Sequence, residues 1–430
     1  MKKNFIRIGL ALLIVIGGWF GVRAWRAAEL NKMVGQMILV GFRGTGPGDE
    51  DVQSLVHDIR SGNIGGVILF SVDVEKGLAT GLPMPEVRKL TKSRNITDIN
   101  QVRELNELLS GAARAGRNPP LFISVDQEGG TDLSIAVVRL VPDHGFDLVM
   151  ENAKGLAVKY PPTKITETKS EVVTKNNNGT REKALKEEIN YEMTDAMRGV
   201  EEEYYELGLR LRELGFNVDF APVVDVDINP TSPAIGARGR AFSNNGILVA
   251  AYGRAAADGL ARAGVIYSFK HFPGHGSAGT DTHDGMTDIT DTWDAEELLP
   301  YKLHAQTDMP GMVMVAHVFN KNFDEEFPAS LSEKTIGGIL RRDIGYDGVV
   351  ISDDLQMGAI YKHYGLRETL RLAILAGNDI MLLGNNLEYT RDLGRVAHAE
   401  IVDMVRRGEI PRARIKESYK RIMKLKKNLK

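Results

Sequence analysis

The chain has 430 residues, 43% hydrophobic and 26% charged, an ordinary globular composition long enough for two or three domains or for one large α/β barrel. A formal net charge of -3 gives no basic face for nucleic acid and suits a neutral or weakly charged ligand. With no cysteine, the chain has no disulfide, no thiolate zinc site and no cysteine nucleophile.

In chain order, Lys2, Lys3 and Arg7 precede an apolar run from Ile8 to Val22, the pattern of an export signal. The run is short for a membrane span, which needs about 20 apolar residues. Residues 1–26 therefore read as a leader that directs export to the periplasm or cell surface. Cleavage after Val22-Arg23-Ala24 and retention as a membrane anchor both stay open.

From residue 27 to 430, short apolar runs alternate with amphipathic helical stretches. The strand candidates are Met37–Phe42, Gly66–Phe70, Leu121–Val125, Val218–Pro222, Val265–Phe269, Met312–Ala316, Gly348–Ser352 and Asp379–Leu383. They are almost continuously apolar, as parallel strands buried on both faces must be. Helical periods lie between them at Val102–Ala115, Glu201–Leu214, Leu248–Ala263 and Glu333–Arg342. Eight strand-helix units predict a single (β/α)₈ barrel, with a doubly wound open sheet as the structural alternative.

Two stretches look inserted, at about 72–93 after the second strand and about 152–196 after the third. Both are poor in apolar residues and are expected to be loops or weakly ordered excursions. The tail from Glu400 to Lys430 reads as a basic helix that closes the outer ring, its charges solvated. No second folded domain is read after the eighth strand.

The polar residues that suggest chemistry gather just after the apolar strands. They are Asp126-Gln127-Glu128-Gly129-Gly130, Asp225 with Asp227, Lys270 to Gly276, His317, and Ser352-Asp353-Asp354. Any one of these is weak, since an acidic residue after a strand is often a helix cap. Together they matter, because in a barrel those strand ends converge on one pocket. No phosphate-cradling glycine loop and no serine nucleophile elbow is present. Carboxylates, histidines and cations around a concavity are the inventory of retaining glycoside hydrolysis, which uses a carboxylate nucleophile and a proton donor. The same histidines and aspartates (His271, His275, His283, Asp281 and Asp284) leave a metal-dependent hydrolase open as a rival, although their spacing is not that of a helical ligand pair.

The segments Asp126–Gly130, Ala221–Asp225, Lys270–His283 and Ser352–Gly358 resemble glycoside hydrolase family 3, in particular its single-domain bacterial β-N-acetylglucosaminidases. The most specific piece is Lys-His-Phe-Pro-Gly-His-Gly at 270–276 followed by Asp281-Thr282-His283. The resemblance implies a (β/α)₈ barrel that needs no cofactor or metal and acts on terminal N-acetylglucosamine of a glycan such as a peptidoglycan fragment. It implies Asp353 as nucleophile, with Asp354 the competing choice. It also implies His283 as acid/base, oriented by Asp281 and supplied by a barrel loop. An imidazole can donate and accept protons near neutrality. The small residues within Gly274–Asp284 suggest that this loop moves. Asp126, Lys270, His271, Arg240 and Arg139 are implied sugar-binding residues. Arg238 competes with Arg240, and extra residues before Arg139 weaken its match to the family pattern. His317 reads equally as a pocket residue or a buried structural one. A β-glucosidase, a phosphorylase and a non-catalytic glycan-binding barrel are the alternatives.

Overall fold

The structure, a computed structural model, describes residues 25–78, 94–128, 156–157, 159, 166–175, 181–190, 195–282, 285–307 and 311–429. Nearly all of the expected leader, most of the first insertion, Arg139 and His283 lie outside the described residues.

The eight apolar runs form eight parallel strands, β1 (Ile38–Gly41), β2 (Gly66–Ile68), β3 (Phe122–Val125), β4 (Val218–Asp219), β5 (Ile266–Phe272), β6 (Gly311–Val315), β7 (Val349–Ser352) and β8 (Met381–Leu383). Their spatial order is β7-β6-β5-β4-β3-β2-β1-β8, so each strand pairs with its neighbours in the chain and β8 returns to β1. An Ile351–Ile380 bridge, with the Ser352 amide donating to the Ile380 carbonyl at 3.1 Å, joins β7 to the start of β8 and closes the ring. This is the expected (β/α)₈ barrel. Every residue of these strands is buried, which explains why the sequence shows runs rather than alternation.

The outer layer includes helices Glu50–Ser61, Ile99–Ala115, Asp195–Glu213, Gly246–Arg262, Gly358–Ala376, Leu393–Arg407 and Arg412–Lys426. Each turns an apolar stripe inward, such as Val102, Leu105 and Leu109 on Ile99–Ala115. Full burial of one such side chain contributes roughly 1.5–3 kcal/mol. The helices Asp195–Glu213 and Gly246–Arg262 approach so closely that a Cβ at Gly259 would stand 2.2 Å from the Glu201 carbonyl oxygen. The stretch expected as an α-helix over Glu333–Arg342 is instead a π-helix, Lys334–Asp343, with Gly337 and Gly338 at its centre where helical preference is weakest.

Two expectations are corrected. The insertion after β3 is not simply a loop: Thr166–Lys175 and Arg181–Asn190 pair antiparallel through ten registered positions, from Thr166 opposite Asn190 to Lys175 opposite Arg181. The Asn-Gly pair at 178–179, a dipeptide that favours hairpin connections, is the local sequence signal for it. The basic tail is two helices, separated by Gly408 in the left-handed conformation (φ +80°) and Pro411, and its charges are not all solvated. Lys426 is buried at the N-terminal end of the barrel and donates to Gln36 Oε1, Gly65 O and Pro120 O at 2.7, 2.8 and 2.6 Å. Its ammonium also lies 4.3 Å from the Phe122 ring centroid. Among the described residues no helix is long and apolar enough to cross a membrane.

Candidate active site

The C-terminal ends of β3, β4, β5 and β7 carry the polar cluster. After β3, Asp126 and Glu128 both reach Lys270, which stands near the end of β5 with its side chain 1% exposed. The Lys270–Glu128 separation is 2.6 Å. Glu128 is then gripped by Arg240 through two parallel hydrogen bonds, Nε at 2.7 Å and Nη2 at 2.6 Å. This fork-to-fork geometry is specific to arginine. Two carboxylates and two cations thus form one balanced network, with Lys270 and Glu128 buried and Asp126 at its more exposed edge.

Burial alone would keep Glu128 protonated. The Arg240 and Lys270 charges outweigh it and hold the carboxyl well below its ordinary range. Burial likewise opposes the Lys270 charge, but Asp126 and Glu128 raise the ammonium above its usual value.

His271 continues the network. Its Nδ1 lies 2.7 Å from Asp225 Oδ2, which assigns the proton to Nδ1 because the carboxylate can only accept. Nε2 then faces Arg240 Nη2 at 3.5 Å. The other Asp225 oxygen accepts the backbone amides of His271 and His275 at 3.1 and 2.9 Å. Burial would raise Asp225, yet His271 and His275 bring it below the usual carboxylate value. His275 is pushed down to about 4, first by burial and then by His271, and its Nε2 lies 3.3 Å from Thr282 Oγ1.

Asp353 follows β7 directly, with its amide donating to Val315 O of β6 at 2.9 Å. Its side chain is partly exposed, and Oδ1 accepts the Asp354 amide at 2.8 Å. Asp354 has a different task. Its Oδ1 accepts the amides of Gln356 and Gly384 at 3.1 and 2.8 Å, tying the β7 loop to the end of β8. Of the two neighbouring aspartates, Asp354 is therefore occupied as a backbone acceptor at two amides.

Asp281 is buried and paired with Arg238, whose Nη2 lies 3.2 Å away. The two arginines that compete in the sequence thus separate in space: Arg240 joins the Glu128–His271 cluster and Arg238 serves Asp281. His317 is fully buried and hydrogen-bonded through both ring nitrogens, to Ser330 Oγ at 2.6 Å and to Asp354 O at 2.8 Å. That is a structural arrangement.

The expected mobile loop divides in two. Pro273–Ala278 is buried and fastened, with Trp293 Nε1 on Pro273 O, the Asn229 amide on Gly276 O, and Asn229 Nδ2 on Ala278 O. A Cβ at Gly276 would fall 1.6 Å from Val226 O. Gly279 and Thr280 are exposed, so any movement belongs to the distal half. His283 lies just beyond, outside the described residues, as does Arg139.

The sequence pattern placed Glu128 and Asp225 among the polar residues at the strand ends but gave them no partner, and it did not single out Glu297. Glu128 and Asp225 lie inside recognised segments, but their partners are distant in sequence, Arg240 standing 112 positions after Glu128. Among the described residues, no group of three or more His, Asp or Glu side chains is arranged to hold a metal ion.

Residues 182–425 match the family model described as "Glycosyl hydrolase family 3 N terminal domain". The chain is 31% identical over 340 residues to a beta-hexosaminidase of Bordetella parapertussis, covering 78% of this chain and 77% of the relative. It is 28% identical over 354 residues to beta-hexosaminidase A of Pseudoalteromonas piscicida, covering 78% of this chain and 52% of the relative, and so spans about half that protein's length. Among solved structures, a glycoside hydrolase family 3 beta-N-acetylglucosaminidase from Paenibacillus sp. str. FPU-7 superposes with a TM-score of 0.71 at 29% identity, over 93% of this chain and 62% of that one. A parallel barrel with carboxylate, imidazole and cation side chains gathered at its C-terminal mouth is a scaffold built for a ligand site at that end. The chain belongs to glycoside hydrolase family 3.

Proposed function

We propose that this protein is a retaining exo-β-N-acetylhexosaminidase that removes terminal non-reducing N-acetylglucosamine through a covalent glycosyl-enzyme. The observation that carries the reading is the pair of neighbouring aspartates after β7. Asp354 Oδ1 accepts two backbone amides and ties the β7 loop to β8, whereas Asp353 stands directly at the end of β7 at the mouth of the barrel, and that position together with the family pattern supports Asp353 as the carboxylate that attacks the anomeric carbon. The relatives' names supply the hexosaminidase reading, and that of the solved Paenibacillus enzyme the N-acetylglucosamine.

In the first step Asp353 attacks as His283 protonates the leaving oxygen, through an oxocarbenium-like transition state. In the second, His283 takes a proton from water, which releases the sugar with retained configuration. Asp281, clamped by Arg238, orients His283. Asp126, Lys270, Arg240 and His271 receive the sugar hydroxyls, with Glu128 and Asp225 fixing the cations and the imidazole in place. Such preorganised groups act without reorganisation during the reaction.

The finer reading is that the chain is exported and acts on peptidoglycan fragments. It rests on the basic, then apolar, residues 2–22 and on the family resemblance.

A fluorinated N-acetylglucosaminyl donor that traps the intermediate, followed by peptide mass spectrometry, tests the nucleophile. Label is expected on Asp353. Label on Asp354, or rapid turnover that inverts the anomeric centre, would overturn the assignment.

A further inference from the structure

We propose that Glu297 is a positioning residue for the proton donor, clamping the root of the loop that carries Asp281 and His283. The inference rests on the reading of His283 as acid/base.

Glu297 lies in a single 3₁₀ turn, Ala295–Leu298, entered through Asp294, whose side chain caps the Glu296 amide at 2.8 Å. The residue is entirely buried. Its Oε2 accepts the Gly276 amide at 2.8 Å. Gly274 has φ +117°, and a Cβ there would fall 2.4 Å from Glu297 Cβ and 2.5 Å from its Oε2, so the loop backbone lies directly against the carboxyl group. On the opposite side, Asp225 accepts the amide of His275, the preceding residue. Two carboxyl groups from different elements therefore hold consecutive amides of one turn.

Four residues lie between this clamp and Asp281, which is fixed in turn by Arg238 at 3.2 Å. His283 follows two residues later. Among the described residues, the partners of Glu297 are donors of the Gly276–Ser277 turn and not a cation. Burial first, and then the negative Asp225, push it up to about 8, so at neutrality it is mainly an uncharged acid acting as an acceptor. Glutamine reproduces that acceptor, whereas alanine removes it and opens space beneath Gly274. Aspartate withdraws the acceptor by one methylene.

A misplaced proton donor slows reactions whose leaving group needs a proton and spares those whose leaving group does not. The experiment compares kcat/KM, which reports the first step, for methyl and 2,4-dinitrophenyl β-N-acetylglucosaminides with wild type, Glu297→Ala, Glu297→Asp, Glu297→Gln and His283→Ala. Glu297→Ala is expected to lose on the order of 10²-fold on the methyl glycoside, the scale of an ångström of misplacement, and to change little on the dinitrophenyl glycoside. Glu297→Gln should stay close to wild type on both. Glu297→Asp should show the same split as alanine, more weakly, and decides the matter if the alanine variant does not fold. Equal losses on both glycosides, or no loss on either, would overturn the proposal. If His283→Ala shows the leaving-group split and the Glu297 variants do not, the positioning role fails alone. If His283→Ala shows none, the acid/base reading fails and takes this proposal with it.

Discussion

Replacing Arg240 by methionine isolates the energetic core of the site. The guanidinium forms two hydrogen bonds with Glu128, at 2.6 and 2.7 Å, with side-chain exposures of only 14% and 6%. Glu128 also shares Lys270 with Asp126, so two carboxylates and two cations balance. Without Arg240, one buried negative charge loses its compensation, a change that costs about 3–5 kcal/mol. Glu128→Gln in the same background removes that excess charge and should recover about 1–3 kcal/mol, the coupling found between groups in direct contact.

Urea unfolding at pH 7 of wild type, both single variants and the double variant measures this coupling. The pH dependence has a defined sign. The folded Glu128 pKa is depressed, so its contribution is complete above its ordinary value of 4.5 and is lost progressively as pH falls below that value toward the lower folded one. The Arg240→Met penalty should therefore shrink at acidic pH. Additivity of the two single variants within about 0.5 kcal/mol would refute the idea that this pair organises the site.

Three further outcomes are expected. Glu297, raised from 4.5 to about 8, favours its protonated form in the folded state, so the stability of the wild type falls as pH rises across that window. Glu297→Gln removes this loss, and its advantage in urea unfolding should widen with pH to at most about 5 kcal/mol. Asp225, Tyr301 and His275 surround the same turn, so a parallel series in Asp225→Asn shows whether the slope belongs to Glu297. Lys426→Met strands the acceptors Gln36 Oε1, Gly65 O and Pro120 O, and should cost about 1–3 kcal/mol or more without changing KM. Asp225→Ala releases His271 and two buried amides together; it should lower stability by about 2–4 kcal/mol and raise KM, and an unchanged KM would detach His271 from sugar binding.

The barrel was legible because parallel strands buried on both faces leave uninterrupted apolar runs, and all eight runs became strands. Their ends were not: the Val218–Pro222 run keeps only Val218–Asp219 as strand, while the fifth run extends through Lys270 and His271 to Phe272. The hairpin after β3 escaped notice because its strands are rich in lysine and glutamate, residues that read as solvated loop or helix. The Asn-Gly dipeptide at 178–179 is the one local sequence pattern that favours such a pairing. Lys426 looked like one charge in a basic run, since its three acceptors lie 306 to 390 residues away in sequence. The same applies to the site. The clustering at strand ends and the family resemblance together brought Asp126, Lys270, His271, Arg240, Asp281 and Asp353 into view, but not which arginine meets which carboxylate. Glu297, one of two adjacent glutamates, carries no local pattern at all.

Hydrolysis of an aryl β-N-acetylglucosaminide beside the matching aryl β-glucoside, by wild type and Asp353→Asn, bears most directly on the proposed chemistry. Wild type should prefer the N-acetyl substrate, and the variant should lose that activity while remaining folded. Undiminished turnover by Asp353→Asn would contradict the nucleophile assignment, and a preference for the glucoside would contradict the assigned substrate.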